Sequence, residues 1–162
     1  MNADRAPQLK AVVSLPLVMK VHKQFRRRTK SFQANRPLRK AIQKANEILP
    51  GQKSPEGETD PRWQAVIAVS LFSNSHPEEV WDFAYQWGQS SDEDVRSAIA
   101  TCILEHLLGD HFDLMFPRVE RAVKSSAEFA DTFRRIWKFD QACEPVNEKL
   151  VDRLMSELNP AS

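Results

Sequence analysis

The stretch EHLLGDH, at residues 105–111, gathers four side chains of the kinds that bind metal ions: Glu105, His106, Asp110 and His111. His106 and Asp110 are four residues apart and would share one face if a helix continued between them. Gly109, however, has the position of a residue that ends a helix, and His106 continues an apolar row that includes Ile103. We therefore expect a core histidine here and no bound metal.

The rest of the sequence holds no pattern typical of catalysis or of cofactor binding. It contains no Gly-rich phosphate-binding loop, no nucleophile elbow and no paired zinc-ligand motif. Its two cysteines, Cys102 and Cys143, have no metal-type spacing and are interpreted as reduced thiols. We predict no catalytic residue and no cofactor, and we expect a non-enzymatic, cytoplasmic protein.

Length, composition and periodicity predict an all-α fold. A chain of 162 residues can bury one core, and only four of these residues are glycines, which suits helices better than a turn-rich sheet. Apolar residues recur at helical spacing from about residue 35, so residues 35–162 are predicted to form a single helical domain. We expect one continuous core that includes Trp63, Ile67, Val95, Ile99, Ile103, Phe116, Phe133 and Trp137.

The charge of the chain is divided unequally along its length. Residues 1–53 carry 13 Lys and Arg against two acidic residues, whereas residues 54–162 carry 10 basic and 20 acidic residues. We interpret residues 1–34 as a basic arm, either flexible or loosely docked, on an acidic body. The arm either holds phosphates of an outside partner or lies on the body's own acidic face. The candidate phosphate-binding residues are Arg26, Arg27, Arg28, Lys30, Arg36, Arg39 and Lys40.

No membrane span is predicted, because the most apolar stretch of the arm, AVVSLPLVM, has only nine residues and contains a proline. A spanning helix needs about 20 apolar residues. An Arg-rich, acid-poor beginning would also fit an organellar targeting segment.

One apolar pattern recurs along the body. The string DPRWQAVIAVSLF at residues 60–72 aligns without a gap with DEDVRSAIATCIL at residues 92–104, and SAEFADTFRRIW at residues 126–137 is a weaker third copy. A period of 32 to 34 residues with two helices per unit is typical of an α-solenoid. The onset DEDVR resembles the second helix of a HEAT-like repeat, and the resemblance covers about residues 60–140. The strings DPRWQA and ATCILEHLL are also similar to parts of small uncharacterised bacterial proteins, which implies no function.

Resemblance to HEAT-like repeats implies a short solenoid whose concave face binds another macromolecule. The second helix of each pair would line that face, and its polar residues are candidate partner contacts: Arg62, Gln64, Arg96, Thr101 and Glu105. The same residues would also fit ordinary solvated helix faces. We expect an adaptor or scaffold that binds another protein, a basic one given the acidic body. The alternative is a nucleic-acid-associated protein that contacts phosphates through the basic arm.

Overall fold

The computed structural model describes residues 35–158, and every regular element in that part of the chain is helical. The all-α prediction is therefore confirmed, whereas the predicted arm at residues 1–34 lies outside the described residues. From Leu38 onward the chain forms one compact unit. Among the described helices, none combines the length and apolar character that crossing a membrane requires.

The helices follow one another with short connections. They are α1 (Arg36–Ile48), α2 (Pro61–Ser70), α3 (Pro77–Trp87), α4 (Glu93–Ile99), a π-helical turn (Ala100–Leu104), α5 (Glu105–Asp110), α6 (Phe112–Ser125), α7 (Ala127–Arg134), a 3-10 turn (Asp140–Cys143) and α8 (Pro145–Leu158). Residues 93–110 form one uninterrupted helical run, because the π-helical turn joins α4 to α5 without a break.

Three helices of the repeat begin at a side chain that accepts a hydrogen bond from the backbone. Asp60 Oδ1 accepts from the N–H of Arg62 at 2.8 Å, and Asp92 Oδ1 accepts from the N–H of Asp94 at 2.9 Å. The two aspartates have nearly the same backbone angles, with φ −80° and ψ 117° for Asp60 and φ −80° and ψ 114° for Asp92. Ser126 caps α7 in the same way. Such caps satisfy N–H groups that the first turn of a helix leaves unpaired.

The first two copies of the repeat lie side by side. Helix α2 packs against α4 and the π-helical turn, and α4 packs in turn against α7. Arg62 Nη1 near the start of α2 lies 2.7 Å from Asp92 Oδ2 at the start of α4. The N-termini of α2 and α4, the two helices that share the repeated pattern, therefore lie at the same end of the contact between these helices.

A single cluster of buried apolar side chains runs through these helices. Five of the predicted core residues are buried in it: Val95, Ile99, Ile103, Phe116 and Phe133. Trp63 is half-buried against the same cluster. The periodic apolar rows therefore identify most of the faces that pack.

Two predicted core residues are on the surface. Ile67 is 38% exposed, because α2 buries the face that carries Ala65, Val66 and Val69. Trp137 is 79% exposed, because α7 ends at Arg134 and helical spacing no longer applies three residues later. The core prediction is wrong for these two residues.

Gly109 does not end a helix, contrary to the prediction. It lies inside α5, which continues to Asp110. A Cβ atom at position 109 would stand 2.6 Å from Cε2 of Phe139, so the ring occupies the space of the missing side chain. Glycine is required here for close approach of an aromatic ring.

We expect Ile99→Ala to lower the free energy of unfolding by about 2–5 kcal/mol, because Ile99 is fully buried and the smaller side chain leaves a cavity. The matched change Ile67→Ala should cost less than about 1 kcal/mol, because Ile67 lies partly in solvent. Denaturant unfolding of both variants measures the difference. Equal losses would contradict the assignment of the two faces.

Candidate functional site

The seven basic residues predicted to contact phosphates fall into two groups. Four lie outside the described residues: Arg26, Arg27, Arg28 and Lys30. The other three are exposed in the first two turns of α1: Arg36, Arg39 and Lys40. Part of the predicted basic surface thus lies on one helix.

Arg62, a predicted partner contact, is only 1% exposed, so that prediction is wrong. Its Nη1 lies 2.7 Å from Asp92 Oδ2, and its Nη2 lies 3.0 Å from Asp60 Oδ2 and 2.8 Å from Asp94 Oδ2. A guanidinium can leave water only where carboxylates and hydrogen-bond acceptors surround it. The starts of α2 and α4 bring three carboxylates to one point, and Arg62 fills the space between them.

Each of the three aspartates around Arg62 forms an ion pair with it. A hydrogen bond from Arg62 lowers the pKa of Asp60, against the opposing effect of burial. Burial would raise the pKa of Asp92, but hydrogen bonds from two backbone N–H groups and from Arg62 lower it below its ordinary range. Asp94 Oδ2 also accepts a hydrogen bond from Trp63 Nε1 at 3.0 Å. This cluster links the beginnings of α2 and α4.

Arg96 is also engaged inside the fold. Its Nε lies 2.9 Å from Asp131 Oδ2, and its Nη1 donates to the carbonyl of Ser90 at 2.7 Å. The same oxygen of Asp131 accepts from Arg135 Nη2 at 2.9 Å, so two arginines share one carboxylate. Arg96 therefore holds α4 to α7. Gln64, by contrast, is exposed on α2.

Thr101 and Glu105, the last two predicted partner contacts, lie close together on the helical run. Thr101 is in the π-helical turn and donates to the carbonyl of Ser97 at 3.0 Å, and Glu105 follows the turn directly. Glu105 Oε1 accepts a hydrogen bond from the backbone N–H of Trp137 at 2.8 Å. Single π-helical turns within α-helices occur often at functional sites.

The carboxylate of Glu105 is half-buried. Burial raises the pKa of Glu105, while the hydrogen bond from Trp137 and the nearby charge of His106 act in the opposite direction. Among the described residues, no Lys or Arg forms a salt bridge with Glu105. Glu105 is therefore partly removed from water without an ion pair to Lys or Arg among the described residues.

Trp137 is a surface residue that the sequence pattern assigned to the core. Its side chain is 79% exposed, whereas the other three tryptophans are buried or half-buried. Its spacing from Phe133 fits a continuing helix. Neither glycine nor proline directly follows Arg134, the last residue of α7, so the sequence does not predict that the helix ends there. We call Trp137, Glu105 and Thr101 the anchor surface.

The segment that carries Trp137 is held on its C-terminal side. Lys138 Nζ lies 2.8 Å from Glu148 Oε1 and 2.7 Å from Asp152 Oδ1, which ties the segment to α8. The ring of Phe139 packs over Gly109, as described above. Together with the hydrogen bond to Glu105, these contacts fix the backbone on both sides of the exposed indole.

Two residues further on, Gln141 continues this attachment. Its Oε1 accepts from the N–H of Phe112 at 2.8 Å, and its Nε2 donates to the carbonyl of Asp110 at 2.9 Å. The connection between α7 and α8 is therefore bonded to the junction of α5 and α6.

The metal-type residues at 105–111 do not come together. His106 is exposed and packs edge-on against Phe139, with ring centroids 5.3 Å apart, so the predicted core histidine is wrong. The wider π-helical turn keeps four-residue spacing on the buried face, from Ile103 to Leu107, and leaves His106 off it. His111 Nε2 lies 3.0 Å from the carbonyl of Asn74. The described residues include no group of three or more side chains that could hold a metal ion.

Compared with known proteins, the chain matches no protein-family model, no curated protein and no solved structure. The resemblance to HEAT-like repeats therefore rests on the residues that carry it. The anchor surface has to be interpreted from its own geometry.

We expect Arg62→Ala to lower the free energy of unfolding by about 3–5 kcal/mol at neutral pH, because three aspartates would lose their buried partner. The matched variant Lys53→Ala should change stability little, because Lys53 is exposed and its ion pair with Asp94 Oδ1 lies at the surface. Unfolding in denaturant measures both changes.

The same variant should alter the pH dependence of stability. The lowered pKa values of Asp60 and Asp92 stabilise the fold above the unfolded value of about 3.9, and this contribution is lost as the pH falls through the folded values. Arg62→Ala should therefore show a shallower loss of stability below about pH 4 than the wild type. If the free energy of unfolding fell equally steeply with decreasing pH in the wild type and in Arg62→Ala, the coupling of Arg62 to these carboxylates would be contradicted.

Proposed function

We propose that this chain is a non-enzymatic, cytoplasmic helical-repeat module that binds another protein through the anchor surface. The observation that carries the proposal is the 79% exposure of Trp137 on a backbone that is bonded and packed on both sides. Thr101 and Glu105, two of the residues implied as partner contacts by the repeat resemblance, belong to the same surface.

An exposed tryptophan on a fixed segment has the properties of a binding anchor. Tryptophan is enriched among the few interface residues that contribute most of the binding energy, since its large ring buries much apolar surface. A segment that is already ordered loses less conformational entropy when a partner binds. Both conditions favour Trp137 as the centre of a protein interface.

The neighbouring helices support a repeat-type scaffold. The helices of the three repeat copies contact one another in chain order, α2 with α4 and α4 with α7. In a HEAT-like solenoid these would be the second helices of each pair, and Glu105 and Trp137 would belong to the second and third copies. A partner could then contact adjacent repeats at once.

We expect Trp137→Ala to lower the affinity for the natural partner by about 30-fold or more, the effect of losing an interface hot spot. The partner would be identified by capture from an extract of the native organism and then measured, purified, by calorimetry. Val146→Ala is the matched control, because Val146 is also largely exposed and apolar but lies at the start of α8.

Both variants should unfold at the same denaturant concentration as the wild type, since exposed side chains contribute little to stability. A purified partner that binds the wild type and Trp137→Ala equally would contradict the proposed interface.

A second candidate function is association with nucleic acid through the basic arm. The exposure of Arg36, Arg39 and Lys40 on α1 favours it, because phosphate contacts require accessible basic side chains. These residues would extend the basic run at positions 26–30 of the sequence.

For this function we expect the affinity for duplex DNA to fall with salt, with a slope of roughly −0.9 per phosphate neutralised. The joint change of Arg26, Arg27 and Arg28 to Ala should weaken binding to every sequence alike and flatten that slope by about one unit per lost contact. Negligible binding to duplex and single strands at about 150 mM salt would contradict the nucleic-acid function.

A further inference from the structure

The anchor surface holds an acidic group, Glu105, that no Lys or Arg of the described residues pairs with. Glu105 is half-buried, and one of its oxygens accepts the backbone N–H of Trp137. Burial raises the pKa of Glu105, so its charged form is less well stabilised there than in water. A cation brought to this carboxylate would restore part of the lost solvation.

The chain's own cations nearest to Trp137 in sequence are bound elsewhere. Arg134 Nη2 donates to the carbonyl of Leu158 at 2.7 Å. Arg135 Nη2 lies 2.8 Å from Glu93 Oε1, and Lys138 bridges two acids of α8. Three basic residues thus flank the indole in sequence, yet none of them pairs with Glu105. Among the described residues, Glu105 therefore has no Lys or Arg partner.

We propose that Trp137 and Glu105 together receive an arginine side chain of the partner protein, an inference that rests on the proposed function. The planar guanidinium stacks on the exposed indole face and donates to the carboxylate at its edge. Glu105 Oε1 accepts a hydrogen bond from the backbone nitrogen of Trp137, and that nitrogen is three covalent bonds from the first atom of the indole, so the carboxylate lies beside the residue that carries the ring. A hydrogen bond between ionised groups is also stronger than one between neutral groups.

The charge of the body agrees with this ligand. Residues 54–162 carry 20 acidic and 10 basic residues, so this part of the chain favours the approach of an arginine, whereas residues 1–53 carry 13 basic residues against two acidic ones. Burial around Glu105 also reduces screening by water, which strengthens an ion pair formed there relative to one at a fully exposed carboxylate.

The test uses the full chain and a minimal probe, N-acetyl-arginine methylamide, with N-acetyl-citrulline methylamide as its neutral counterpart of the same shape. The indole N–H signal of Trp137 in a nitrogen–proton NMR spectrum reports binding, and it is assigned by its disappearance in Trp137→Phe. We expect the arginine probe to shift this signal saturably and to bind about five-fold or more tightly than the citrulline probe.

Glu105→Gln is the informative variant, because its amide oxygen still accepts the N–H of Trp137 while the negative charge is removed. We expect it to weaken the arginine probe about three-fold or more and to leave the citrulline probe unchanged. Asp82→Asn is the matched control, since Asp82 is exposed on α3 and its change removes the same net charge. It should leave both probes unaffected.

Equal binding of the arginine and citrulline probes, or equal binding of the arginine probe to wild type and Glu105→Gln, would overturn the inference. Neither result contradicts the proposed function, which depends on partner binding and on its loss in Trp137→Ala. Conversely, a natural partner that binds Trp137→Ala with the same affinity as the wild type would overturn the proposed function even if the arginine probe binds.

Discussion

The buried guanidinium of Arg62 is the interaction on which the arrangement of the repeat copies depends. It lies between the aspartate that begins α2 and two aspartates at the beginning of α4. Withdrawing such charges from water is costly, and the cost is recovered only when several well-placed partners surround the guanidinium. The geometry is therefore demanding, and a shift of α2 along α4 by one turn would separate the charges. The ion cluster sets the register of the first two copies.

A second arginine makes the next connection. Arg96, in the first turns of α4, pairs with Asp131 in α7, and Arg135 shares that carboxylate while reaching back to Glu93. Apolar packing alone tolerates sliding, because it has little directionality. The charged contacts are directional, and they occur both between α2 and α4 and between α4 and α7. An arginine of one copy bound to an aspartate of the next thus accompanies the packing of α2 on α4 and of α4 on α7.

Much of the fold can be predicted from local signals in the sequence. Asp60, Pro77 and Pro145 mark helix starts because capping and proline placement act within a few residues. The wrong predictions share a different cause. The burial of Arg62 depends on aspartates 30 and 32 residues away, and the environment of Gly109 depends on a ring 30 residues further on. No local pattern contains those contacts.

The candidate site was predictable only in part, because irregularities within a helix and at its end are not visible in the residue types. Helical spacing extended to Trp137 because nothing in the sequence shows that α7 ends at Arg134, and His106 was assigned to the core because the π-helical turn cannot be read from residue types. The repeat alignment predicts Thr101 and Glu105 as surface residues of a helix. It does not predict that the segment after α7, which carries Trp137, contacts that helix at Glu105. The repeat alignment thus predicted two residues of the anchor surface as partner contacts, which stays a prediction, and the apolar pattern assigned the third, Trp137, to the core.

The π-helical turn and the attachment of the segment after α7 have a joint consequence. The turn precedes Glu105, whose carboxylate accepts the N–H of Trp137, and Gly109 one turn later admits the ring of Phe139. Lys138, between these two contacts, binds acids of α8 and so cannot neutralise Glu105. Lys138, the lysine nearest to Trp137 in sequence, is thus paired with α8 in the same segment that carries the exposed Trp137. The exposed Trp137 and the half-buried Glu105 are joined by one hydrogen bond, which is why we propose them as two parts of one binding site.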